Sequence, residues 1–204
     1  MKISCTDAGK RFNRDWIFRH VNFEFTPGRW YAVTGPNGSG KSTFLQVLAG
    51  AVTLSEGKID YTSGVAVAGE HVFRHTALAA PYLSVVEEMT LTEFLQFHQT
   101  FKPLIPGTNI PQIISILSLE KAAHKQIRYF SSGMKQRVKL AQAFFSHTPC
   151  LLLDEPCSNL DQAGIDLYYR LIHEYGKDRL LIICSNDQAE YTFCETVMNM
   201  LDFK

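Results

Sequence analysis

Apolar residues fall into short runs along this chain, and their spacing changes from one run to the next. In Val21-Asn22-Phe23-Glu24-Phe25 they alternate with polar residues, the pattern of a half-buried strand. Pro27-Gly28 marks a turn, after which Trp30-Tyr31-Ala32-Val33-Thr34 predicts a second strand. Ser39 to Leu48 resumes with helical spacing after a glycine-rich turn. Cys150-Leu151-Leu152-Leu153 and Leu180-Leu181-Ile182-Ile183-Cys184 are apolar throughout and bounded by breakers, which suits strands covered on both faces. Asp161 to Tyr175 between them reads as a helix, so strand, helix and strand imply a parallel α/β core.

The middle of the chain has a different texture. Leu91 to Phe101 and Ile110 to Leu119 read as helices on either side of the turn-rich Lys102-Pro103-Leu104-Ile105-Pro106-Gly107. A last strand is expected from Glu195 to Met200. The pattern predicts one domain over 1–204, with an α/β core at 1–89 and 146–204 and an inserted helical subdomain at 90–145.

Composition narrows the function classes. A length of 204 residues allows one large domain, and 46% hydrophobic with 20% charged residues is a globular balance. The 20 Lys and Arg match 20 Asp and Glu, so direct nucleic-acid binding and a broad basic membrane-binding surface are disfavoured. The five cysteines (Cys5, Cys150, Cys157, Cys184, Cys194) include no CxxC pair and read as buried thiols of a reducing compartment. The N-terminus lacks the apolar core of a signal peptide, and no apolar run approaches the ~20 residues needed to span a bilayer. A cytoplasmic chain is expected, with any membrane role supplied by a partner.

Gly35-Pro36-Asn37-Gly38-Ser39-Gly40-Lys41-Ser42 fits G-x-x-x-x-G-K-[ST] in full, between an expected strand and a helix that continues through Thr43. Glycines let the backbone wrap closely and aim N–H groups at phosphate oxygens, and the following helix adds its positive end. Lys41 is expected to reach the β- and γ-phosphates, and Ser42 to ligate Mg²⁺. These residues predict a nucleoside triphosphate site. Downstream, the apolar strand Leu151 to Leu153 ends in Asp154-Glu155. Beside a P-loop, Asp154 is a candidate for the Mg²⁺ shell and Glu155 for the residue that polarises the attacking water. Alone, the pair would read as a polar strand end.

Phe130-Ser131-Ser132-Gly133-Met134-Lys135-Gln136-Arg137-Val138-Lys139-Leu140-Ala141 resembles the signature of ABC ATPases, written LSGGQ and followed by a basic helix. Ser131 and Gly133 match its serine and second glycine, whereas Phe130, Ser132 and Met134 depart from it. Ser158-Asn159-Leu160-Asp161 resembles the D-loop of that family, and the order of motifs agrees over nearly the whole chain. The resemblance implies a P-loop NTPase fold with a mostly parallel β core, an N-terminal antiparallel β portion and the helical insertion. It also implies that two ATP-binding subunits, alike or different, pack head to tail, with Ser131 and Gly133 touching the γ-phosphate held by the opposite chain. In Gly9-Lys10-Arg11-Phe12, Phe12 stands where the family places an aromatic on adenine, with Trp16 the competing choice and a plain core role the alternative. Without the neighbouring motifs, the signature stretch would be a serine-capped helix whose Lys135, Arg137 and Lys139 form a solvated face.

Two family residues are missing. The glutamine expected before the helical subdomain is absent from Leu78-Ala79-Ala80-Pro81-Tyr82, and Gln96 and Gln99 fall too late to replace it. The position of the switch histidine holds Asn186, which can donate a hydrogen bond but cannot carry charge. Hydrolysis is expected to survive through Glu155 but to be slow. With one nucleotide-binding domain and no membrane span, the resemblance implies the ATPase subunit of a transporter with a separate permease, bound peripherally at the cytoplasmic face of the membrane. Pro81 to Phe94 is the expected docking groove, with Tyr82, Leu83, Val85, Val86 and Met89 as its apolar side. The alternatives are a soluble ABC ATPase that remodels a complex, as in iron–sulfur assembly, and a degenerate, non-hydrolysing half of a heterodimer.

Overall fold

The structure, a computed structural model, describes residues 1–204. Contacts divide the chain into two units, one of 1–78, 149–155 and 178–204 and one of 79–148 and 156–177.

The first unit holds two sheets. In the antiparallel sheet, ordered β2-β1-β4-β5, β1 (Lys2–Phe12) lies between β2 (Asp15–Phe25) and β4 (Glu56–Ser63), and β5 (Val65–Val67) closes one edge. The alternation at Val21 to Phe25 is the second half of the longer β2; charged residues in its first half hide the strand from a pattern reading. The other sheet has the order β6-β7-β8-β3-β9, from β3 (Trp30–Thr34), β6 (Thr76–Ala79), β7 (Cys150–Asp154), β8 (Leu180–Cys184) and β9 (Thr196–Asn199). Its pairs β7–β8, β8–β3 and β3–β9 are parallel. Every residue of β7 and β8 is buried, as uninterrupted apolar runs require.

Helix α1 (Lys41–Leu48) fastens the two sheets together. Its Phe44 meets Phe18 edge-on at 5.2 Å and lies 6.2 Å from Phe25, while Leu45 and Leu48 join the same core as Val33, Leu152 and Ile182. Burying each such side chain stabilises the fold by about 1.5–3 kcal/mol, so the start of α1 is held rigidly at the end of β3.

The second unit is helical: α2 (Leu91–Phe101), α3 (Ile110–Ile116), α4 (Ser132–Phe144) and α5 (Gln162–Tyr175). Thr90 with Glu93, and Asn109 with Gln112, form reciprocal capping boxes that start α2 and α3 where the sequence marks them. α3 ends at Ile116 rather than Leu119, because the chain turns through Ser118 at a φ of 58°. α5, which the sequence pattern assigns to the core segment 146–204, groups with the helices, packed on α4.

Candidate nucleotide-binding site

β3 runs into a turn that passes through Gly35, Gly38 and Gly40 at φ values of 136°, 79° and 102°. Space also demands glycine at two of these. A Cβ on Gly35 would lie 2.7 Å from Ser39 Oγ, and one on Gly40 would lie 2.5 Å from Ile17 Cγ2. Gly40 is the N-cap of α1 and its carbonyl accepts from Phe44 N at 2.8 Å. Ser39 and Lys41 are buried, and Ser42 and Thr43 are half-buried in the first turn of α1. Lys41 Nζ donates to the carbonyls of Gly35 at 2.7 Å and Pro36 at 3.3 Å, which holds the ammonium across the loop. Ser39 Oγ is buried with no hydrogen-bond partner in the protein, an arrangement that costs about 1–3 kcal/mol unless a ligand or water bonds it. A cation, hydroxyls and a helix N-terminus around a wrapped backbone fit a phosphate chain.

Asp154 ends β7 fully buried and pairs in register with Cys184 of β8. Burial, and secondarily the Asp154 charge, push the Cys184 thiol well above its ordinary range, so this cysteine is inert packing. Glu155 follows at a φ of 41°, where its N–H donates to Cys184 O at 2.9 Å. A non-glycine residue in this region costs about 1–3 kcal/mol. The bond to β8 holds it there, and the turn ends the strand's alternation at the second carboxylate. Beyond β8, Asn186 Nδ2 donates to Asn37 Oδ1 at 2.7 Å, which brings the residue at the switch position onto the P-loop.

Phe12, at the end of β1, is half-exposed, with the Lys10 ammonium 4.8 Å from its ring centroid. Trp16 is otherwise engaged. The guanidinium groups of Arg11 and Arg19 lie over its ring at 5.3 and 4.1 Å, and Arg19 is fixed by paired bonds of 2.7 and 2.9 Å to Glu56.

In the helical unit, Ser131 is the N-cap of α4 and its Oγ accepts from Met134 N at 3.2 Å. Phe130 is buried in place of the family's leucine, and Ser132 is exposed, which explains why a side chain is tolerated there. Gly133 has no such freedom, since a Cβ would lie 2.9 Å from Asn159 O. A cleft of about 450 Å³ opens here, lined by Ser118, Lys121, Ser131, Ser132, Gly133 and Met134 among others. Gln136 Nε2 donates to Pro156 O at 2.8 Å, and Arg137 donates to Asp161 Oδ1 at 2.8 Å. Asp161 also caps α5 by accepting from Gly164 N; that bond first, and then the one from Arg137, hold its carboxyl below the usual range.

The solvated-face reading of the basic residues on α4 is not what the structure has. Lys135 pairs with Glu87 at 2.6 Å, Arg137 with Asp161, and Lys139 with the Pro81 carbonyl at 2.7 Å. Sequence spacing missed all three because their partners lie 24 to 58 residues away. Of the five apolar residues expected to line the docking groove, Val85 belongs to the core, Leu83 and Met89 are half-buried, and Tyr82 and Val86 are exposed.

Comparisons with known proteins agree with this geometry. A family model described as ABC transporter matches residues 18–158. A cytochrome c biogenesis ATP-binding export protein, CcmA, of Brucella abortus is 32% identical over 189 residues, covering 91% of this chain and 85% of the relative. A bacitracin transport ATP-binding protein, BcrA, of Bacillus licheniformis is 30% identical, covering 89% of this chain and 60% of the relative. The fold matches that of the ATP-binding cassette MJ0796, solved as a dimer in a post-hydrolysis state with ADP and Pi. The TM-score is 0.80 at 19% identity, over 97% of this chain and 93% of that one. No helix of the structure is long and apolar enough to cross a membrane. The chain belongs to the ABC transporter family and is an ATP-binding, ATP-hydrolysing subunit of it.

Proposed function

We propose that this subunit pairs head to tail with a second ATP-binding subunit around two ATP molecules and drives a separate membrane permease from its cytoplasmic face. The observation that carries the reading is Ser131, an exposed serine that caps α4 beside the cleft of about 450 Å³, in a chain that also has a complete P-loop. In this reading Gly35, Pro36, Asn37, Gly38, Ser39, Gly40, Lys41, Ser42 and Thr43 wrap the triphosphate of one ATP, and Phe12 stacks on its base. Ser131 and Gly133 receive the γ-phosphate held by the opposite subunit.

A magnesium ion, when bound, would offset phosphate charge, and Ser42 with the buried Asp154 are the residues suited to hold it. Glu155 orients the attacking water and draws its proton as the water oxygen bonds to the γ-phosphorus and the β–γ bridging bond breaks, leaving ADP and phosphate. Asn186 donates a hydrogen bond to phosphate in place of a histidine, without its charge, so turnover is slow. One relative is named for export in cytochrome c biogenesis and the other for bacitracin transport, and cargo choice belongs to the membrane partner.

Capture of the tagged chain from gently solubilised membranes of its own cells tests the assembly. A polytopic membrane protein in near-equal amount is the expected result. Recovery of soluble proteins alone would overturn the transporter assembly and favour a remodelling ATPase.

A further inference from the structure

The segment 81–89 has no glutamine, yet it is tied to the signature segment on both of that segment's flanks. Ahead of Ser131, Ile127 N donates to Met89 O and Arg128 N to Glu87 O, each at 2.9 Å. Behind it, α4 reaches back with two ammonium groups. Lys135 Nζ meets Glu87 Oε1 at 2.6 Å, and Lys139 Nζ meets Pro81 O at 2.7 Å. The Lys135 side chain is 26% exposed and that of Glu87 45%, and Lys139 is half-buried, its bond reaching the exposed Pro81. Positions 135 and 139 differ by four, one helical turn, so both lysines leave α4 on the same face. Glu87 serves twice, its carbonyl holding the short 3-10 turn Ile127–Tyr129 ahead of the signature and its carboxylate the helix behind it.

We infer that Glu87, Lys135 and Lys139 are positioning residues that lock the 81–89 segment to Ser131 and the start of α4, so that a displacement of this segment is carried to the signature serine. The inference rests on the head-to-tail reading above, because Ser131 acts there on the nucleotide of the opposite subunit. In that setting the lock supplies, through two ammonium groups and two backbone bonds, a link that the missing glutamine does not. A permease pressing on the exposed Tyr82 and Val86 would move Ser131 relative to the opposite nucleotide, without touching the P-loop of its own chain.

The test is a charge reversal followed over three readouts. Nucleotide affinity of the isolated full-length chain reports the P-loop, ATP-induced dimer formation in a Glu155→Gln background reports the signature, and kcat reports turnover. Glu87→Lys and Lys135→Glu, each placing like charges together, should weaken ATP-induced dimerisation and lower kcat by roughly tenfold, with nucleotide affinity unchanged. The double reversal should recover most of both losses. Lys139→Met, which keeps the stem and removes the charge, should lower kcat by about two- to fivefold. If the single reversals dimerise and turn over like the parent, the lock is no positioning device. If they lose thermal stability and activity together and the double reversal rescues neither, the contacts are only structural and the inference fails. Absence of ATP-induced dimers in the Glu155→Gln parent itself would instead sink the head-to-tail reading.

Discussion

Asn186 Nδ2 and Asn37 Oδ1 lie 2.7 Å apart, joining the residue after β8 to the middle of the P-loop across 149 positions of sequence. The bond fixes the Asn186 side chain on the loop that is proposed to hold the phosphates. Replacing Asn186 by Ala should lower kcat by roughly tenfold, about 1.4 kcal/mol of lost transition-state binding. KM should change little, because the interaction strengthens as charge builds on the transferred phosphate. Asn186→His should turn over faster than Asn186→Ala. Steady-state ATPase assays on the three proteins decide this, and equal rates would remove Asn186 from the mechanism.

Glu155 sits in a strained conformation whose backbone is held by Cys184 O. Its exchange for Gln keeps shape and removes the base. A drop in kcat on the order of 10²-fold or more is expected, with ATP affinity retained. Parent protein hydrolysing no faster than this variant would refute the assigned role and place the chain among non-hydrolysing subunits.

Gly35 and Gly133 probe the two halves of the site separately. A Cβ at Gly35 meets Ser39 Oγ at 2.7 Å in a backbone conformation that other residues avoid. Gly35→Ala should therefore abolish nucleotide binding by the isolated chain. A Cβ at Gly133 meets Asn159 O at 2.9 Å. Gly133→Ala should leave binding intact and suppress ATP-induced dimerisation of the Glu155→Gln protein. Fluorescent-nucleotide titration and analytical size-exclusion separate the two effects, and binding lost in both would contradict this division.

His98 offers a pH test. Ser146 Oγ donates to Gln142 O at 2.6 Å, so His98 Nε2, 2.8 Å from that oxygen, carries a proton and donates to it. Burial first, and then the Lys102 charge, lower its pKa from 6.5 to about 4. The unfolded chain therefore binds this proton between those values while the folded chain does not. Stability from this group is complete above pH 6.5 and falls as pH drops toward 4, by up to about 3 kcal/mol. Denaturant midpoints across that range should be flatter for His98→Leu than for the parent. Parallel curves would show that the ring is not what titrates.

Gln136 and Arg137 explain why the helix after the signature cannot be an interchangeable basic face. One bonds the Pro156 carbonyl and the other the Asp161 carboxylate, so α4 carries the D-loop with it. Arg137→Lys would keep the charge but give up the planar fork that also approaches Leu117 O at 3.4 Å.

The sequence by itself determined the features carried by an uninterrupted local pattern. The P-loop was legible because a wrapped backbone needs its glycines, lysine and hydroxyl in one uninterrupted stretch, and β7 and β8 because doubly covered strands must be apolar at every position. Asp154 and Glu155 followed from the end of β7, and helical spacing marked α2, α3 and α5, whose caps Thr90, Asn109 and Asp161 the structure supplies. Only the tertiary structure decided which distant partners each polar group meets. It left Phe12 half-exposed, set Trp16 between Arg11 and Arg19, brought Asn186 to Asn37, and spent Lys135 and Lys139 on the 81–89 segment. The physical reason is range: backbone conformation and helix caps act over a few residues, whereas an ion pair or amide bond between side chains depends on where packing sets two elements down.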